Sequence, residues 1–179
     1  MTLREAISDA HNAAESHPFT ALIMAGQLPA RVYFYYLKGL LACYESIETR
    51  ARELGLLVDM DGICRADLMA LDLASYQDAG ELASSDISAS YTRYVRELTR
   101  EEALAHLYVL HMGDMYGGQI MKSKLPGPNN RYLFDDRPKL ISCLRAKLTD
   151  SMSTEAIKVF TFIIALFDEA IEIYEKESI

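Results

Sequence analysis

Apolar residues recur at three- and four-residue spacing along nearly the whole of this chain, and no run of four to eight residues alternates strictly enough to argue for a strand. That pattern leaves helices and little else, so the fold class is all-α. The spacing predicts helices at about 2–16, 29–53, 62–76, 87–97, 100–124, 137–149 and 153–176. Several starts have a mechanism. Pro29 suits a first turn, Thr99 with Glu102 forms a candidate capping box, and Ser153 can cap the last helix. The segment LPGPNNRYLFDDRP, residues 125–138, is the clear loop, with three prolines, a glycine and paired asparagines.

The bounds on function come next. At 179 residues, half hydrophobic and a quarter charged, the chain reads as one domain over 1–179 with a core able to fold alone. No apolar run reaches the roughly 18 to 20 residues of a membrane span. The start MTLREAISDAHNAAES is amphipathic and acidic where a signal peptide is basic and then apolar, so the expected address is the cytoplasm, with no membrane anchor. Cys43, Cys64 and Cys143 are odd in number and scattered, which indicates reduced thiols rather than a disulfide framework or a zinc site. A net charge of −8 argues against nucleic acid as a partner. The charge is uneven, however: residues 122–147 carry +5 (Lys122, Lys124, Arg131, Arg137, Lys139, Arg145 and Lys147 against Asp135 and Asp136), which leaves −13 for the rest. Such a cluster is either a solvated face or a dock for an anionic ligand or acidic partner.

One predicted helix breaks its own rules. HMGDMYGGQIMKSK, residues 111–124, continues the apolar face of Ala103, Leu104, Leu107 and Leu110, yet holds three glycines and an aspartate. Each helical glycine costs about 1 kcal/mol relative to alanine. Gly113 and Gly117, four apart, present a strip of bare backbone on one side, suited either to close helix packing or to a large flat ligand. Asp114 is hard to explain by packing, because a carboxylate on so apolar a face is rarely buried without a partner or a task. Near the other end, His11 and Glu15 share a face four residues apart, so the carboxylate can orient the imidazole. The plain reading of such a pair is a surface contact, and the sharper one is a metal ligand with its orienting acceptor. Arg4, two turns before His11, can hold an anionic group beside whatever His11 binds.

Taken together, LREAISDAHNAAES, AHLYVLHMGDMYGGQ and IIALFDEAIEIYE resemble the heme oxygenase family, in order along almost the entire chain, with ASYTRYVREL and LRAKL also in place. The resemblance implies a helical bundle with heme b, substrate and cofactor at once, between the first helix and a glycine-kinked distal helix. His11 would be the iron ligand and Glu15 its orienting partner. Gly113 and Gly117 would lie over the porphyrin, and Gly118 would share in the bend. Asp114 would help deliver a proton, through ordered water, to dioxygen activated above the ring. Arg145 resembles the family's propionate-binding arginine, with Lys147, Arg4 and Tyr108 as further groups at that edge. The implied reaction takes heme, dioxygen and an external reductant to biliverdin, ferrous iron and carbon monoxide. Its implied partners are an acidic electron donor such as ferredoxin, docking on Lys122, Lys124, Arg131 and Lys139, and a downstream bilin reductase.

The sequence departs from the family pattern at Leu110 and His111, where an arginine and a tyrosine are common, and at Met115-Tyr116, where Leu-Ser is common. Those changes fall on the distal water network. Three other readings compete. A non-catalytic heme carrier or sensor would keep His11 and the glycines with no need for Asp114. A di-iron site could draw on Glu102, His106, His11 and Glu15, but a second convincing set of inward carboxylates is missing. The thiamin-degrading relatives of this fold need a cysteine in a polar pocket, whereas Cys43 is flanked by leucines.

Overall fold

The computed structural model describes residues 1–178, and every regular element among them is helical. The α-helices are α1 (Leu3–Ala6), α2 (Ser8–Glu15), α3 (Pro18–Met24), α4 (Ala30–Glu53), α5 (Ala66–Ala74), α6 (Asp86–Val95), α7 (Arg100–Met115), α8 (Gly117–Met121), α9 (Arg137–Arg145) and α10 (Ser153–Glu177). Short 3-10 turns lie at Ala79–Glu81, Asn130–Tyr132 and Asp150–Met152. The three longest helices make the centre: α10 packs on α7 and α4, and α4 also receives α5, α6 and α7. Val32, Leu37 and Ile47 of α4, Ala105 and Leu107 of α7, and Val159 of α10 are wholly buried there. Burying each large aliphatic side chain contributes about 1.5–3 kcal/mol.

Polar groups inside this core are paired and fix its register. His106 on α7 accepts the Tyr91 hydroxyl of α6 at Nδ1 (2.7 Å) and faces Glu155 of α10 through Nε2 (3.0 Å). Glu155 also takes Tyr94 and Lys158, so one buried knot joins three helices. Glu102 is committed elsewhere, since it closes a capping box with Thr99 as the spacing predicts. The imagined di-iron pair is thereby divided between two structural tasks. Cys43 is buried, and burial pushes its thiol up to about 12, an inert group rather than a nucleophile. Among the described residues no helix is long and apolar enough to cross a membrane.

Boundaries differ from expectation for local reasons. The first predicted helix breaks at Ile7 into α1, capped by a Thr2–Glu5 box, and α2. Helix α3 was not predicted; His17 caps it by accepting the Phe19 N–H (3.1 Å), Pro18 stands in its first turn, and Phe19 and Ile23 bury one face. Pro29 takes the cap position of α4 rather than its first turn. Helix α5 starts at Ala66, after Gly62 in the left-handed region (φ +85°), and its first N–H groups are met by Glu48. Ser153 opens α10 without capping it, because the turn Asp150–Met152 runs straight into the helix. The predicted helix 100–124 divides at Tyr116 and ends at Met121.

Candidate functional site

The division at Tyr116 (φ −111°, ψ −78°) separates α7 from α8 immediately before Gly117 and Gly118, where helix propensity is lowest. Carbonyls at the broken end of α7 are met by side chains: Gln119 Nε2 donates to Asp114 O (3.2 Å) and Arg137 Nη1 donates to Met115 O (3.2 Å). Gln119 also donates to Tyr132 O (2.9 Å), which staples the kink to the loop before α9.

The three glycines serve two purposes. A Cβ at Gly113 would meet no atom within 4 Å, and one at Gly117 would touch only the flexible Met121 methyl at 3.9 Å, so this strip of backbone faces open space. Gly118 is different. It is buried, and a Cβ there would overlap the ring of Tyr132, so its bareness admits that ring instead of a ligand. Gly118, expected to share in the bend, lies in α8 with its bare side turned to Tyr132.

Asp114, between these glycines, is 3% exposed and held on both oxygens. Tyr44 of α4 donates its hydroxyl to Oδ2 (2.7 Å), and Arg131 pairs with Oδ1 (2.8 Å). Burial drives the Tyr44 hydroxyl well above its ordinary range, with the Asp114 charge adding to the effect, so Tyr44 stays a donor. Burial opposes the charge on Arg131, and the facing Asp114 together with Tyr132, Tyr44 and Tyr33 outweighs it, so the guanidinium pKa is raised. Arg131 was expected on an exposed docking patch; it is 5% exposed and belongs to the site. The loop that carries it is tied down throughout. Asp72 accepts the Asn130 and Arg131 N–H groups (2.8 and 3.0 Å), Arg65 donates to the Arg131 and Leu133 carbonyls, and Asn129, in the left-handed region at φ 54°, bonds the Lys122, Leu125 and Gly127 carbonyls.

His111 stands behind this group, with Nε2 2.9 Å from buried Glu48 and its ring 5.0 Å from that of Tyr44. Of the four histidines, His17, His106 and His111 are each engaged by a carboxylate within 3.0 Å. His11 is not. Its side chain is 53% exposed, its Nδ1 is 3.7 Å from Glu15, and its ring stands edge-on to Phe160 at 5.9 Å. Helix α2, which carries it, buries no residue at all.

A cationic edge lies by the kink. Arg145 of α9 donates to the Tyr116 hydroxyl (2.8 Å), and an open depression of about 640 Å³ is lined by these two with Arg137, Pro138, Ile141 and Ser142. Burial raises the Tyr108 hydroxyl pKa, and the charges of Arg145 and Arg4 oppose that rise. Lys147 is drawn instead to Asp59 in the α4–α5 loop (2.8 Å). Of the expected docking residues, Lys122, Lys124 and Lys139 are exposed.

Sequence reasoning missed Tyr44 and the inward role of Arg131. A lone hydroxyl on the apolar face LLACYESIE was a usable signal, because a buried tyrosine needs a partner. Arg131 sends no such signal, since its neighbours in sequence are loop residues and its partner is brought to it by the fold.

Comparisons with known proteins bear on the family and the fold. The family model described as heme oxygenase matches residues 1–166. The heme oxygenase of Guillardia theta is 27% identical over 131 residues, 67% of this chain and 55% of that protein. Heme oxygenase 1 of a Nostoc species is 26% identical over 134 residues, 68% of this chain and 56% of that protein. The chain thus spans about half the length of the curated relatives it matches. Among solved structures, heme oxygenase from Leptospira interrogans superposes with a TM-score of 0.79 at 26% identity, covering 94% of this chain and 100% of that one. Heme oxygenase-1 from Synechocystis, solved in complex with heme, shares the fold with a TM-score of 0.80 at 20% identity over 98% of this chain and 96% of that one. With a family match over most of its length and the glycine-kinked helix in place, the chain belongs to the heme oxygenase family.

Proposed function

We propose that this chain is a heme oxygenase that opens heme b to biliverdin with release of ferrous iron and carbon monoxide, using dioxygen and electrons from an acidic donor such as ferredoxin. The observation that carries the reading is the open backbone at Gly113 and Gly117 beside a buried, doubly held carboxylate, Asp114. A helix packed against another helix would fill the first, and a carrier would have no use for the second.

The residues present fit the group. His11 is the histidine left free to ligate a metal, and Glu15 can turn its far nitrogen. Gly113 and Gly117 let backbone approach a flat ring where a side chain would hold it off. Arg145, which reaches the Tyr116 hydroxyl by the kink, would receive carboxylates at the ring edge, with Arg4 and Tyr108 as further groups, an arginine fork being matched to two oxygens. When bound, heme supplies both the iron at which dioxygen is reduced and the carbon that is oxidised. Asp114 is buried beside the open glycine strip, and its role would be to pass a proton through ordered water rather than by direct contact. The chain has no flavin or nicotinamide fingerprint, so electrons must come from a partner, and the exposed Lys122, Lys124 and Lys139 offer it a basic surface. A bilin reductase is the corresponding consumer of product.

The test is an optical titration of the purified protein with hemin, followed in the same cuvette by a ferredoxin reducing system in air. A saturable one-to-one Soret band that decays as a broad red biliverdin band grows is the expected result. A Soret band that persists under every reductant tried, chemical ones included, identifies a carrier or sensor and overturns the reading.

A further inference from the structure

Arg131 is buried with two of its donors unused. Nη2 binds Asp114, whereas Nε and Nη1 have no protein partner, and they are the buried guanidinium donors in this position among the described residues. A buried unpaired donor costs about 1–3 kcal/mol, so native structures rarely leave one without water. Fixed, buried donors beside a carboxylate are the setting in which ordered water is found. The guanidinium itself is packed between rings, 4.6 Å from Tyr132 and 5.9 Å from Tyr44, which leaves it little freedom to turn away. Its backbone is fixed by Asp72 and Arg65, and Gly118 is bare so that Tyr132 can seat the whole turn against α8. On α7 itself, position 110, one turn before Asp114, is an apolar and buried Leu110.

We propose that Arg131, delivered from the loop between α8 and α9, is the positioning residue of the distal side: with Tyr44 it aims Asp114, and its Nε and Nη1 hold the water through which Asp114 works. The inference rests on the proposed function for its kinetic meaning, but its structural half stands alone. Arg131 is not a proton source; it keeps its protons and orders the water that gives one up and is recharged from solvent. The site therefore takes its guanidinium from a residue far along the chain, at a place where its own helix supplies only leucine.

The experiment uses the full chain with three variants, R131M, R131K and the double variant L110R/R131M, and two readouts. In the hemin-loaded protein, R131M is expected to bind hemin within twofold of wild type and to leave the KM for the electron donor unchanged. Its kcat for biliverdin should fall about 100-fold, with the lost electrons appearing as free hydrogen peroxide. R131K, which keeps the charge without the fork, should fall about tenfold and covers the case in which R131M does not fold. The double variant, with an arginine returned one turn before Asp114, should recover at least tenfold over R131M. In the apoprotein, the Tyr44 hydroxyl proton is read by NMR as a slowly exchanging downfield resonance, and its exchange should accelerate at least tenfold in R131M and slow again in the double variant. If the apoprotein behaves as expected while wild-type protein opens no heme, the functional reading fails and the positioning role survives. If R131M and R131K keep wild-type product yield and wild-type hydroxyl exchange, the proposal is overturned.

Discussion

The two sides of the proposed ligand space are built in opposite ways. On the side of α7 and α8, the groups are held by protein: Asp114 has two partners, the loop behind it has anchors on α5, α8 and the α4–α5 connection, and the glycine next to Tyr132 is bare to fit that ring. On the side of α2, nothing is. That helix buries no residue, and His11 and Glu15 are both more than half exposed at a separation too long for a hydrogen bond. The difference teaches where ligand binding would do its ordering. Under the proposed function, the Asp114 side is prepared before anything arrives, as proton delivery would require of groups that must stay aimed, whereas the His11 side is left for the ligand to complete.

The largest test of this contrast sets Arg131→Met against His11→Ala in the apoprotein. Removing one member of a buried ion pair leaves the other uncompensated and costs about 3–5 kcal/mol, so Arg131→Met should lower the urea midpoint sharply. His11→Ala removes an exposed side chain and should stay within about 0.5 kcal/mol of wild type, while abolishing the histidine-ligated hemin spectrum and turnover. Equal losses of stability in the two variants would erase the distinction between a built side and an unbuilt one.

Glycine replacements sharpen it further. Gly118→Ala drives a methyl into the Tyr132 ring and should cost about 1–3 kcal/mol by overpacking. Gly113→Ala enters open space in a helix and should stabilise the apoprotein by about 0.5–1 kcal/mol, yet weaken hemin binding in the optical titration. Two glycines five residues apart would thus respond with opposite signs. A loss of apoprotein stability in Gly113→Ala would mean that its strip faces protein.

The buried knot that joins α6, α7 and α10 should also carry an acid sensitivity. Burial works against the charge on Glu155, but hydrogen bonds from His106, Lys158 and Tyr94 outweigh it and hold the carboxyl down at about 2. A folded-state pKa below the ordinary 4.5 contributes stability that is fully present above that value and is lost as pH falls toward about 2. Burial likewise keeps His106 below its ordinary 6.5, so protonation of the unfolded chain adds to the loss as pH falls below that value. Circular dichroism at 222 nm should show wild type losing stability steadily through this acid range. Glu155→Gln should be weaker at neutral pH with a flatter acid slope, and an unchanged slope would remove Glu155 from the account.

Much of the frame was legible in sequence because helical periodicity and caps are local signals. The long α4, α7 and α10 follow their apolar spacing, and Thr99 with Glu102 forms the box its spacing predicts. The break at Ile7 and the short α3 were not read, since a four-residue helix and a seven-residue one carry too few turns for the period to stand out. At the proposed site, the bare backbone of Gly113 and Gly117 and the carboxylate of Asp114 could be marked from spacing and composition, and Arg145 only through the resemblance. Arg131 could not, because its charge counted toward a basic cluster and only the fold turns it inward. The same reason separates Gly118 from its neighbour: identical residues, one facing open space and one facing a ring, differ in nothing the sequence records.

The smallest expected effect lies on the open side and is the most discriminating there. Glu15 is 67% exposed on its side chain and stands 3.7 Å from His11, so in the apoprotein Glu15→Gln should change stability by no more than about 0.5 kcal/mol. If the ligand completes this side, the pair should tighten only when a metal occupies the imidazole, because ligation makes the far N–H a stronger donor and a carboxylate a better acceptor than an amide. The effect should then surface in the hemin complex alone, as a shift in the iron–histidine stretching band of the ferrous form toward weaker ligation, with hemin affinity reduced by up to about tenfold. Resonance Raman on wild type and Glu15→Gln measures that band directly. An unshifted band would show that His11 and Glu15 remain the loose surface pair they are without ligand, and the orienting acceptor would have to be sought in the backbone of α2.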